Sequence, residues 1–382
     1  MEPVAIVGVG QTRYERQKRG DTFADMIFEV TSKALEDAGY AISDIDNVIT
    51  VSNDFWDGRT ISSMAVMDAC GAFGKCVSTV EGDGAFGALY GMMRILSGQF
   101  GTTLVVAHGK GSESAMNLIT NAMFDPVYQR PLGLDAISSA ALQMRRYMDK
   151  YGVTERQCAM ASVKNHANAR RNPLAQLPME ITLEDVMGSR KLAEPIKLLD
   201  CSPITDGACA LILANGDRAC KAEVAPVWIR GVGHCADPFF LGDRDLAECA
   251  ALRTAAKKAY AMAGVNDPKA GIDVAEVYDA FSYQELMWTE GLGFCGPGEG
   301  GELIESGKTA TDGELPVNPS GGCLSAHAMM VAGLARIAEA ALQVRGDAGD
   351  RQVPGAKTAL AHGVNGPCGQ SHCVFVVSSE LG

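Results

Sequence analysis

Two apolar runs closed by paired glycines, Ala5-Ile-Val-Gly-Val-Gly10 and Val227-Trp-Ile-Arg-Gly-Val-Gly233, constrain this fold more than any other feature of the sequence. Each is followed by a helical stretch ending in Ala-Gly (Asp37-Ala-Gly39 and Ala261-Met-Ala-Gly264), then by a strand, Ile45–Val51 or Ile272–Tyr278. Further on, Ala107-His-Gly109 and Ala361-His-Gly363 each close another strand. The separations are unequal, so the pattern is not a solenoid but a duplicated α/β half with a large insertion in the first copy. Alternating strands and helices predict an α/β fold with a mostly parallel central sheet. Gly8-Val-Gly10 lacks the third glycine and the strand-to-helix setting of a dinucleotide fingerprint.

The chain in order gives further elements. Asp21 is placed to cap a helix whose apolar positions Phe23, Met26, Ile27, Val30, Leu35 and Ala38 recur at helical spacing before Gly39. Cys76–Val80 reads as a strand, and Glu81-Gly-Asp-Gly84 opens the helix that runs on to Gly98. From Ser112 to about Leu199 the texture changes to scattered Met, Asn, Arg and Pro with short helical pieces, an inserted layer rather than sheet core.

Size and charge narrow the function. A chain of 382 residues, 47% hydrophobic, can bury a large core, and a net charge of −13 argues against nucleic acid or an anionic membrane surface as partner. No apolar run reaches transmembrane length, and Met1-Glu2-Pro3 lacks the basic start of a secretory signal. Twelve cysteines without a Cys-x-x-Cys pair read as reduced, buried side chains of a cytoplasmic protein.

The most chemically loaded stretch is Asn318-Pro-Ser-Gly-Gly-Cys-Leu-Ser-Ala-His327, with an apolar helical run to Ala341. Gly321 and Gly322 would let backbone approach a ligand, and His327, read as opening a helix, would meet backbone donors at one oxygen. Together with the duplication, this segment resembles the thiolase superfamily, nearest its sterol-carrier branch. Lys164–Gln176, Ala193-Glu-Pro-Ile196, Leu199-Asp-Cys201 and Thr205-Asp-Gly-Ala208 match family segments in order, and the likeness covers nearly the whole chain. The resemblance implies two αβαβα halves stacked in five layers with an inserted loop domain. Its divisions are residues 1–111, a loop domain 112–199 over the CoA site, a return strand and helix 200–222, and a second half 223–382. It also implies an acyl-CoA substrate with CoA as co-substrate, no cofactor or metal held by this chain, and a homodimer. The tail Leu342–Val353 followed by Ala361-His-Gly363 resembles members that work with a small zinc-ribbon/OB-fold subunit carrying zinc.

By the same resemblance His327 matches the family's catalytic histidine, and Asn318 the asparagine that holds a catalytic water or histidine. Lys164, Arg170 and Arg171 fall in the segment over the CoA tail, where a basic cluster suits phosphates; Gly321, Gly322 and His362 join them as substrate-binding candidates. The departures are at the nucleophile. A gapless reading back from Ser97-Gly98 puts Glu81 in the cysteine slot (a shifted one puts Gly84 there), and the branch's His-Asp-Cys-Phe stands here as Tyr278-Asp-Ala-Phe281. With no thiolate to carry the acyl group, Glu81 becomes a candidate general base and Tyr278 a donor to a developing oxyanion. Cys368, in Asn365-Gly-Pro-Cys-Gly369, is the remaining candidate thiol; a metal site built on His362, Cys368 and His372 would lack a fourth ligand. The reaction expected is CoA-dependent thiolysis of a β-oxoacyl-CoA, with benzoylsuccinyl-CoA of anaerobic aromatic degradation as the nearest parallel. Retro-aldol cleavage of a β-hydroxyacyl-CoA is the alternative, on the Tyr-Asp-x-Phe pattern and Leu292-Gly-Phe-Cys-Gly296, and a non-catalytic CoA- or lipid-binding subunit is the third.

Overall fold

A computed structural model describes residues 2–381. The nine strands of its main sheet are β1 (Val4–Gln11), β2 (Asn47–Val51), β3 (Cys76–Val80), β4 (Thr102–Lys110), β5 (Asp206–Asn215), β6 (Val227–Ala236), β7 (Val274–Glu276), β8 (Thr358–Asn365) and β9 (Ser371–Ser378). They lie in the order β3-β2-β4-β5-β1-β6-β9-β8-β7. The order is a palindrome of the duplication: β1, β5, β4 and β2 run outward in one direction, and β6, β9, β8 and β7 in the other. Where the second half should repeat β3, a single parallel bridge joins Ala275 to Val317, so the stretch leading into Asn318 takes that place.

The sheet is mixed, not mostly parallel as the alternation predicts. Pairing is parallel at β3–β2, β2–β4 and β8–β7, and antiparallel at the other junctions. Only residues 366–370 separate β8 from β9, too few for a crossover, so that pair must be antiparallel.

Six helices matter to the site: α1 (Phe23–Ala38), α2 (Gly84–Leu96), α3 (Glu155–Ala169), α4 (Ala250–Ala263), α5 (Ser282–Gly291) and α6 (Ala332–Arg345). Strand alternation sorts them into layers. Val4 and Ile6 face α2 and α6, while Ala5 and Val7 face α1. Ala359, Ala361, Cys373 and Phe375 also face α2 and α6, whereas Leu360, Val374 and Val376 face α4. The result is five layers, α1, sheet, the α2–α6 pair, sheet, α4, with α2 and α6 packed on each other at the centre. The repeated glycines now have their reason. A Cβ on Gly8 or Gly10 would lie 2.4 or 2.1 Å from a carbonyl oxygen of α1, and one on Gly231 or Gly233 would lie 2.0 or 1.8 Å from a carbonyl oxygen of α4. In each half they let the outer helix lie against the sheet.

Helix starts correct two expectations. Thr22, not Asp21, caps α1: its hydroxyl accepts from Asp25 N at 3.2 Å while the Asp25 carboxylate accepts from Thr22 N at 2.8 Å. His327 does not open a helix. It sits in extended chain between a short turn at Gly322–Ser325 and a 3-10 turn at Met329–Val331, which leads into α6.

Candidate active site

A cavity of about 520 Å³ opens beside the N-termini of α2 and α6. Its apolar wall includes Phe55, Trp56, Met116, Ile119, Phe281 and Met330, and its polar groups include Asp83, Ser202, Tyr278 and His327. Tyr278 follows β7 on the loop to α5. Its Oη lies 2.7 Å from His327 Nε2, and His327 Nδ1 lies 2.9 Å from Ser202 Oγ. The His327 backbone is pinned as well, donating to Thr205 Oγ1 at 2.9 Å. Burial, and then the charge of Arg336, lowers His327 to about 4, so the ring is neutral near pH 7. Burial pushes the Tyr278 phenol well above its ordinary value, and the nearby Asp83 charge adds to that. A neutral imidazole has one N–H. In the tautomer in which Ser202 donates to Nδ1, the Nε2–H donates to Tyr278 and the phenol O–H is free for an oxygen in the cavity. Such a chain is aligned before any charge develops.

Asp83 caps α2 and is only 2% exposed. One carboxylate oxygen accepts from Ala85 N at 3.0 Å and the other from Gly333 N, in the first turn of α6, at 2.7 Å. A Cβ on Gly333 would stand 1.9 Å from the carboxylate, so only glycine lets α6 come this close. Burial raises Asp83 to about 7 even though the backbone N–H groups pull the other way.

Of the residues expected at the site, Tyr278, His327, Glu81 and Cys368 line the cavity. Glu81 does so from the rim. It is exposed, it accepts from Asn53 Nδ2 at 2.6 Å, and it does not open α2; the buried carboxylate at that helix start is Asp83. An Asp directly before Gly84-Ala-Phe-Gly87 is an N-cap signature, and that signal was readable. Ser202 carries no signal in the sequence. Cys368 is buried with its thiol pushed up to about 11 by burial, and its sulfur neighbours Ser139 rather than a histidine, so it lacks the base that would make it a nucleophile.

The other expected residues sit behind the cavity wall or away from it. Asn318 accepts from Val277 N at 2.7 Å and donates to Glu285 at 3.0 Å. It therefore holds the Tyr278 loop and is not bonded to His327. Lys164 has its N–H groups answered by Asn165 Oδ1 (2.6 Å), Val317 O (2.6 Å) and Glu285 (3.0 Å), which leaves nothing for a phosphate. Arg170 is exposed and paired with Glu180 at 2.7 Å, and Arg171 lines a separate polar surface groove. Gly321 and Gly322 approach Ala169 and the Asp279 carboxylate instead of a ligand, a Cβ on Gly322 falling 2.4 Å from Asp279 Oδ1. His362 also lies outside the lining. Its Nδ1 accepts from Tyr278 N at 3.4 Å, so its Nε2–H donates to His372 Nδ1 at 2.9 Å, and two neutral rings buttress the tyrosine's backbone. Among the described residues no Lys or Arg lines the cavity, and no group of three or more His, Cys, Asp or Glu side chains is gathered to hold a metal.

Comparison with known proteins gives this arrangement a setting. Residues 237–379 match the thiolase C-terminal domain-like family. The acetyl-CoA acetyltransferase of Methanothermobacter thermautotrophicus is 38% identical over 380 residues, 97% of this chain and 98% of that protein. The benzoylsuccinyl-CoA thiolase subunit BbsB of Thauera aromatica is 28% identical over 96% of this chain and 95% of its own. Among solved structures, the Ltp2-ChsH2(DUF35) aldolase superposes with a TM-score of 0.84 at 27% identity, covering 98% of this chain and 97% of that one.

Proposed function

The chain belongs to the thiolase family, and from that premise we propose that it is a thiolase-type acyltransferase that cleaves a β-oxoacyl-CoA with free CoA into two shorter thioesters. The observation that carries this is the Ser202–His327–Tyr278 chain ending on a phenol donor in an acyl-sized cavity. Thiol attack on the β-carbonyl turns its oxygen into an alkoxide, and expulsion of the α-carbon produces a thioester enolate. Both are oxyanions, and each preorganised donor contributes about 3–4 kcal/mol when water is excluded. His327 and Tyr278 are assigned that role, and Asn318 positions Tyr278 from behind.

The aromatic and methionine wall supports a bulky acyl group, and the likeness to a benzoylsuccinyl-CoA thiolase subunit supports an aromatic one. A second reading, retro-aldol cleavage of a β-hydroxyacyl-CoA, is favoured by the likeness to the Ltp2-ChsH2(DUF35) aldolase and uses the same oxyanion donors. Domain divisions at residues 112, 200 and 223 agree with Met116, Ile119 and Met123 forming a wall over the first-half residues Glu81 to Asp83. An open edge on β3, paired on one side only, supports a homodimer through that strand. The two-component name of the superposed aldolase and the subunit name of BbsB support a partner subunit, which we take to be the small zinc-bearing one that the Leu342–Val353 segment suggests. Twelve cysteines, all free, fit a reducing cytoplasm.

The test is product analysis. The protein is incubated with alkyl and aryl β-oxoacyl-CoA and β-hydroxyacyl-CoA thioesters, with and without CoA. Two thioesters formed only when CoA is present are expected. An aldehyde or ketone plus one thioester would replace thiolysis by the aldol reading, and no turnover on any substrate would overturn both.

A further inference from the structure

Thiolysis needs a proton taken from sulfur and later given to carbon, and the described cysteines near the cavity are poor carriers of an acyl group. Cys201 and Cys323 are held as thiols by burial and by the Asp200 and Asp279 charges, and Cys368 has no base. Asp83 stands where the chain of α2 begins, in the cavity wall, fixed by one N–H from each central helix and close enough to Tyr278 for its charge to be felt there. Each carboxylate oxygen accepts one of these N–H groups and has a second lone pair to spare.

We infer that Asp83 is the proton carrier of a single-displacement cleavage in which the CoA sulfur attacks the substrate directly and no acyl-enzyme forms. This rests on the thiolase reading above. The Asp83 carboxylate takes the proton of the CoA S–H. The sulfur forms a bond to the β-carbonyl carbon, whose π pair moves onto oxygen against Tyr278. Collapse of that alkoxide breaks the Cα–Cβ bond and leaves its electron pair on Cα as a thioester enolate. The Asp83 acid then gives its proton to Cα, which restores the carboxylate. One S–C bond forms, one C–C bond breaks, one proton moves from sulfur to carbon, and no oxidant or reductant is needed. A carboxyl that titrates near 7 suits both halves of that transfer.

The full chain, with any subunit that co-purifies, is compared with Asp83→Asn and Asp83→Ser. Asn and Ser both keep the cap of α2, so loss of fold is checked by melting and does not decide the result. Three outcomes are expected. Initial-rate lines for CoA and β-oxoacyl-CoA intersect, and acyl-labelled substrate without CoA leaves no label on the protein. Both Asp83 variants lose at least about 10²-fold in kcat. In wild type kcat/KM rises with pH through about 7, because the carboxylate form starts the reaction, and Asp83→Asn loses that limb. Parallel lines, a labelled protein, or an Asp83→Asn variant near wild-type rate would overturn the proposal. A separate readout is exchange of the α-hydrogens of acetyl-CoA and succinyl-CoA in D₂O. If wild type makes no pair of thioesters, the thiolase reading fails, and Asp83 is judged on this exchange alone. Exchange that Asp83→Asn abolishes supports it; exchange that survives, or is absent from wild type, overturns it.

Discussion

Two buried polar clusters lie on opposite sides of the Tyr278 loop, and they differ in what they have left over. Behind the loop, Lys164, Asn165, Asp279, Glu285 and Asn318 bond to one another and to backbone: Asn165 reaches Asp279 and Glu285 at 2.6 and 2.7 Å, and Asp279 accepts from Cys323 N at 2.6 Å. In front, Asp83, His327 and Tyr278 are buried and Ser202 half-buried, all facing a cavity, and with Ser202 donating to His327 their bonding leaves the Tyr278 O–H and the Asp83 carboxylate with capacity to spare. Burial, polarity and perturbed titration mark both clusters, since burial also pushes Asp279 to about 7. What separates a site from a scaffold here is unspent hydrogen bonding directed at open space.

That contrast can be broken from either side. Lys164→Met should have the largest effect and the least specific one. It strands the buried Glu285 carboxylate and should cost about 3–5 kcal/mol of stability in chemical denaturation. Whatever folds should keep its KM for CoA, whereas a rise in KM at unchanged stability would return Lys164 to the phosphate-binding role. In front, Tyr278→Phe should do the reverse, with kcat down by about 10²–10³-fold and the denaturation midpoint nearly unmoved. A smaller change probes the seam between the central helices. Gly333→Ala brings a methyl against Asp83, and overpacking of this kind costs about 1–3 kcal/mol, read as a lowered melting temperature. Smallest of all should be Arg170→Ala, because its pair with Glu180 is exposed and contributes at most ~1 kcal/mol, with kinetics unchanged.

The fold was largely legible because duplication is written in spacing. The Gly-x-Gly pairs, the Ala-Gly helix ends and the Ala-His-Gly strand ends fall in order; the Gly-x-Gly pairs reflect a close approach of helix backbone, and the Ala-Gly ends a left-handed C-cap that favours glycine. Strand direction was not legible, since β5, β8 and β9 look alike whichever way they run. Tyr278 and His327 stand out in the sequence because their departures and agreements sit in recognisable segments, and the structure brings the two side chains together. Lys164 reads as a phosphate ligand because a basic residue near a CoA segment looks the same in sequence whether its ammonium is free or, as in the structure, answered by Asn165, Glu285 and Val317. A count of residues points to Glu81 or Gly84, whereas the helix cap and the close approach of Gly333 make Asp83 the buried carboxylate.

The central claim is that Tyr278 and His327 act as one oxyanion-binding unit in CoA-dependent cleavage. A double-mutant cycle of Tyr278→Phe and His327→Ala, measured as kcat for thioester formation, tests it directly. Each single change should cost at least about 10²-fold, and the double should cost clearly less than the product of the two, because removing either breaks the Ser202–His327–Tyr278 chain. Losses that multiply, or a His327→Ala variant within a few-fold of wild type, would contradict it.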